Sequence, residues 1–102
     1  MTMAGEENHS HRWARSWAIT REHLARAKSM LVAANALPEN EEVFATYNEF
    51  LDHNELELGF DELESIGDEA HADAPFWAEL AQAAENMGLT QHAARCRQRV
   101  KE

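Results

Sequence analysis

Glu57, Asp61, Glu64 and Asp68 follow one another at intervals of four, three and four residues, so on a helix their carboxylates line one edge. Glu55, Glu62 and Glu69 repeat the theme at intervals of seven on the opposite flank. Adjacent like charges cost such a helix roughly 0.2–0.5 kcal/mol for each i,i+4 pair. The chemistry such a face offers in return is electrostatic attraction of a cationic surface. The candidate contacts with a basic partner are Glu49, Asp52, Glu55, Glu57, Asp61, Glu62 and Glu64. Leu58 and Ser65 fall between the two acidic edges. Leu58 is then either an apolar anchor in a binding face or the mark of a helix buried on both sides. The crowding of Leu56, Leu58, Phe60, Leu63 and Ile66 favours the buried position.

Metal and thiol chemistry have weaker support. Glu49, His53 and Glu57 are spaced four apart and would converge on an unbroken helix, but Asp52-His53-Asn54 reads as a break. The two Glu-x-x-His pairs that a di-iron bundle needs and the ligand order of an EF-hand are not present, so no metal or other cofactor is expected. His9 and His11 could chelate, although they lie in a polar segment without periodicity. Cys96 has arginines at 95, 97 and 99, which would activate a thiolate if they approached it, yet it lies on the apolar face of a terminal helix, where a thiol is inert. Phosphate loops, zinc spacings and nucleophile elbows are absent. The pattern is that of a protein without enzymatic activity.

All nine lysines and arginines lie in two flanks, Arg12 to Lys28 and Arg95 to Lys101, while residues 39–85 carry fifteen carboxylates and no cation. The formal charge of −10 disfavours binding to nucleic acid or to an anionic membrane, since both rest on Lys and Arg. Two explanations of the segregation stay open. The basic flanks fold back on the acidic centre, or the centre faces a basic partner. One cysteine excludes an internal disulfide, and no apolar run approaches the roughly 20 residues of a bilayer span. Together with the lack of a signal-peptide core, these features place the chain in the cytoplasm.

The elements that must position these residues are helical throughout. Residues 1–10 read as a flexible N-terminal tail and 11–102 as a single helical domain. Trp13, Trp17, Thr20, Leu24, Ala27, Leu31 and Ala34 form a stripe at spacings of three and four, predicting a long first helix from Arg12 with both tryptophans in the core. Leu37-Pro38 ends it. A second helix is predicted over 39–53, with Val43, Phe44, Tyr47, Phe50 and Leu51 inward and Glu39, Glu41 and Glu42 in its first turn. Asp52 or Asn54 caps a third helix that ends near Gly67. Ala74-Pro75 opens a fourth, closed by Gly88, and Thr90 caps a fifth with Ala93, Cys96 and Val100 inward. The fold class is all-α, a compact bundle of four to five helices.

The stretch from Glu49 through Asp52-His53-Asn54-Glu55 to Leu63 resembles a segment of small bacterial immunity proteins of the MafI type. Those proteins carry an apolar-Asp-His-Asn-Glu turn followed by a helix of alternating apolar and acidic residues. Phe76-Trp77-Ala78-Glu79-Leu80 and Ala83-Ala84-Glu85-Asn86-Met87-Gly88-Leu89 are similar to the segment that follows, so the likeness spans 43–89. The resemblance implies an antidote of a polymorphic-toxin system that binds and blocks a cognate toxin. It carries His53, Asn54 and Glu55 over as family residues, either fixing a turn or touching the toxin.

The function expected is that of an immunity-type inhibitor whose acidic helical face occludes the active site of a cationic toxin such as a nuclease. Two alternatives remain: a homo-oligomeric structural or regulatory module, in which self-association pairs basic flanks with acidic centres, and a small enzyme or metal binder centred on His53.

Overall fold

The computed structural model describes residues 2–35 and 42–101, with side chains over 14–34 and 42–101. The side chains of His9, His11, Arg12 and Trp13, and the segment containing Leu37-Pro38, Glu39 and Glu41, lie outside the described residues. The described residues form five α-helices: α1 (Thr2–Asn35), α2 (Ala45–Asp52), α3 (Leu56–Ala70), α4 (Ala74–Asn86) and α5 (Thr90–Lys101). A 3-10 turn, Glu42–Phe44, leads into α2. No strand occurs among the described residues, and the architecture is the all-α bundle expected.

Helix α4 is the centre of the packing. Trp77, Leu80, Ala81, Ala83 and Ala84 are buried on it, and its alanines let α1 and α5 approach closely from two sides. Leu24, Ala27 and Leu31 fill the face of α1, Phe60 and Leu63 that of α3, and Cys96 and Ala93 that of α5. Phe44 and Tyr47 join this cluster from the start of α2, meeting edge to face with ring centroids 6.5 Å apart.

Among the described residues, one polar side chain is buried within this packing. Thr20 is 1% exposed on α1. Asn86, at the end of α4, donates to Thr20 Oγ1 at 2.7 Å and to the carbonyl of Ser16 at 2.8 Å. These bonds satisfy the hydroxyl and tie the α4 terminus to α1.

Three helices end alike. At the close of α2, Glu55 N–H donates to Phe50 O and Asn54 N–H to Leu51 O, with Asn54 left-handed at φ 57°. The same pair of bonds closes α3 around His71, φ 55°, and α4 around Gly88, φ 74°. These are Schellman turns, which satisfy the last carbonyls of each helix.

Several expectations are corrected. Helix α1 begins at Thr2 rather than at Arg12, because backbone bonds along the helix need no apolar periodicity. Trp17 is 44% exposed, beside Leu56, Met87 and Leu89 at the end of the bundle rather than in its core, and Ala34 at the other end of the stripe is also exposed. Val43 is exposed because the 3-10 turn rotates it away from the inner face that Phe44 and Tyr47 keep. Gly67 does not end α3. The helix runs on to Ala70, and Gly67 instead admits Phe76, whose Cε2 would lie 2.4 Å from an added Cβ. Neither Asp52 nor Asn54 caps α3 through its side chain, since Asn54 is already the left-handed residue that closes α2. Leu58 is 42% exposed, so α3 is buried on one side only.

Candidate functional site

The acidic edge of α3 faces a basic edge of α5. Arg95 donates Nε to Glu64 Oε2 and Nη2 to Glu64 Oε1, both at 3.0 Å. Arg99 bonds Asp68 and lays its guanidinium 4.2 Å from the centre of the Trp77 ring. His92 Nε2 lies 3.4 Å from Asp61 Oδ1 and 3.8 Å from Glu57 Oε2. Asp61, Glu64 and Asp68 thus match His92, Arg95 and Arg99 in the same order and at the same intervals of three and four. The two helices therefore run in the same direction with complementary ladders. Arg97, between these rungs, turns to α4 and holds Glu85 through two bonds of 3.0 and 3.1 Å, which lowers the Glu85 carboxyl below its ordinary range.

The first basic flank is used in a similar way. Arg21 donates to the Leu51 carbonyl, and to Asn54 Oδ1 at 3.3 Å, closing the end of α2. Glu79 on α4 meets His23 Nδ1 at 2.5 Å and Arg26 at 3.4 Å. Lys28 lies 4.9 Å from the centre of the Phe44 ring and 5.8 Å from that of Tyr47, a cation–π contact between α1 and the start of α2. Back-folding of the basic flanks thus accounts for much of the charge segregation.

It does not account for all of it. The other flank of α3, Glu55, Glu62 and Glu69, has no cationic partner among the described residues, and neither do the carboxylates of Glu49 and Asp52 at the end of α2. Leu58 stands exposed between this flank and the neutralised one. The seven candidate acids therefore divide. Glu49, Asp52 and Glu55 are exposed and unpaired, Glu62 is half-buried and unpaired, Glu57 and Asp61 face His92, and Glu64 is occupied by Arg95.

His53 is exposed and its Nδ1 lies 3.3 Å from the Glu49 carbonyl, so the backbone of α2 engages it instead of a convergent ligand set. The Asn54 turn breaks the register with Glu57. Among the described residues, the ligand atoms that do converge are those of Glu57, Asp61 and His92, all within 4.8 Å of one another. His92 comes from a helix remote in sequence, and its role was visible only as part of the matching 92-95-99 interval.

Burial chiefly raises the Asp61 carboxyl above its ordinary value, with His92 pulling the other way. Burial also pushes the Cys96 thiol up to about 12, reinforced by Glu64 and only partly opposed by Arg95, Arg99 and Arg97. That is the reverse of an activated nucleophile. No helix among the described residues is long and apolar enough to cross a membrane. Comparison with known proteins finds no matching family model, curated sequence or solved structure.

Proposed function

We propose that this protein is a non-enzymatic, immunity-type inhibitor of the cytoplasm that docks on a basic protein, a cognate toxin, and occludes its active site. The docking surface is the unpaired flank of α3, Glu55, Glu62 and Glu69, with Leu58 as its apolar anchor and Glu49 and Asp52 at its α2 end. One observation carries this reading. The fold neutralises one acidic edge of α3 rung by rung and leaves the other, beside an exposed leucine, without a cation among the described residues. Uncompensated charge of one sign speeds encounter with an opposite surface, and an exposed apolar side chain within it supplies an anchor that water does not hold. The resemblance of residues 43–89 to MafI-type immunity proteins points the same way. Self-association is less favoured, because Arg95, Arg97 and Arg99 each hold a carboxylate of their own chain.

The test is to mix the protein with the product of the gene immediately upstream, where a toxin normally precedes its antidote, and to follow association at low and high salt. A complex whose association slows with salt, and slows further for Glu55→Gln/Glu62→Gln/Glu69→Gln, supports the proposal. The absence of a complex, or one indifferent to both changes, overturns it.

A further inference from the structure

We propose that Glu57, Asp61 and His92 form a binding site for a divalent transition cation, zinc foremost, that bridges α3 to α5. Glu57 and Asp61 stand one turn apart on α3 and His92 reaches them from α5, so the three groups come from two elements that an ion would join.

The distances suit an ion held between the groups as well as a direct ion pair. His92 Nε2 is 3.4 Å from Asp61 Oδ1 and 3.8 Å from Glu57 Oε2. Both exceed the roughly 2.7–3.2 Å of an N–H···O bond. In a tetrahedral zinc site with bonds of about 2.0–2.1 Å, neighbouring ligand atoms lie about 3.3–3.4 Å apart. A small closing movement of two half-exposed carboxylates completes that geometry.

The surroundings support the ligand set. The imidazole is held edge to face against Phe60, ring centroids 5.3 Å apart, which limits its rotation. The neighbouring cation, Arg95, is itself bound by both oxygens of Glu64, so Glu57 and Asp61 contribute two negative charges that no arginine or lysine among the described residues pairs with. One nitrogen and two oxygens suit zinc and its transition-metal neighbours, whereas magnesium and calcium prefer oxygen alone. Three protein ligands at the surface leave a coordination position for water. The same residues are outside the unpaired docking flank, so this site stands or falls independently of toxin binding.

The experiment is calorimetric titration of the full chain with zinc chloride, with thermal melting in parallel. His9→Ala/His11→Ala serves as the background, to remove a second possible chelating pair. The expected result is one zinc per chain and a melting temperature raised by roughly 10 °C or more at a hundredfold excess over Kd, with magnesium inert. His92→Gln and Asp61→Asn each weaken binding at least tenfold, while His53→Ala leaves it unchanged. Should His92→Gln or Asp61→Asn fail to fold, Glu57→Gln, at an exposed position, serves in its place. No binding at submillimolar zinc, or binding that survives the ligand substitutions, overturns the site.

Discussion

Arg95 grips Glu64 with two near-parallel bonds of 3.0 Å across the space between α5 and α3, and Glu64 is only 18% exposed at its side chain. Two residues earlier, Glu62 has no such partner among the described residues. Glu64→Gln is therefore expected to lower stability by about 0.5–1 kcal/mol, while Glu62→Gln stays within about 0.5 kcal/mol of the parent. Urea denaturation of the two variants checks this. Equal losses would show that the two edges of α3 are not different in kind.

The tryptophans separate by burial. Trp77 is 2% exposed, donates Nε1–H to the Ala72 carbonyl at 3.0 Å and packs against Phe76. Trp77→Ala should cost about 3–5 kcal/mol. Trp17, 44% exposed, should cost about 1–2 kcal/mol on the same change. A larger loss at Trp17 than at Trp77, seen in denaturation midpoints, would reverse the assignment of the core.

Two glycines of α3 predict different responses to alanine. An added Cβ at Gly67 meets Phe76 Cε2 at 2.4 Å and Cζ at 2.8 Å, atoms of a rigid buried ring. The helix propensity gained, about 1 kcal/mol, is outweighed by overpacking of about 1–3 kcal/mol. At Gly59 the contact is Leu51 Cδ2 at 2.6 Å, the tip of a side chain that can turn aside. Melting temperatures should fall for Gly67→Ala and change little for Gly59→Ala.

His71 adopts φ 55° at the end of α3, a conformation that costs a residue with a Cβ about 1–2 kcal/mol. His71→Gly removes that strain at the left-handed position of a Schellman turn and should raise stability by about 1 kcal/mol. Chemical denaturation reads this directly, and a loss of stability would show that the imidazole has a structural role.

Alkali should unfold the protein in a defined window. Burial raises the Cys96 thiol from 9.0 to about 12 and the Tyr47 hydroxyl from 10.0 to about 12. Below pH 9 both groups are protonated in both states and contribute no pH dependence. Between the unfolded and folded values the unfolded chain binds fewer protons than the native one. Stability then falls as pH rises, by up to about 1.4 kcal/mol per unit for each group. Cys96→Ala should move the onset from near pH 9.0 to near pH 10.0, followed by stability measured against pH.

Much of the fold was legible because apolar residues recur at helical spacing. Thr20, Leu24, Ala27 and Leu31 on α1, and Trp77, Leu80, Ala81 and Ala84 on α4, face the core as their intervals require. Trp17 misled because periodicity gives the face of a helix but not how far along its axis a neighbour extends. Leu58 misled because local crowding of apolar residues does not reveal how many helices surround them. Gly67 looked like a stop because a helical glycine that admits an aromatic ring is identical in sequence to one that ends a helix. At the site, the acidic edges of α3 were readable from α3 alone. Which edge is neutralised was not, because it depends on how α5 is placed. Even so, the shared intervals of 61-64-68 and 92-95-99 carried that information once the two helices were compared.

The turn around Gly88 and Leu89 acts as a phase setting between two helices. Each residue along an α-helix advances its side chains by about 100°. One residue inserted between Asn86 and Thr90 would turn His92, Arg95 and Arg99 away from α3 together, and would swing Cys96 out of the core with them. Connection length, more than the strength of any one rung, therefore keeps one acidic edge covered and the other bare.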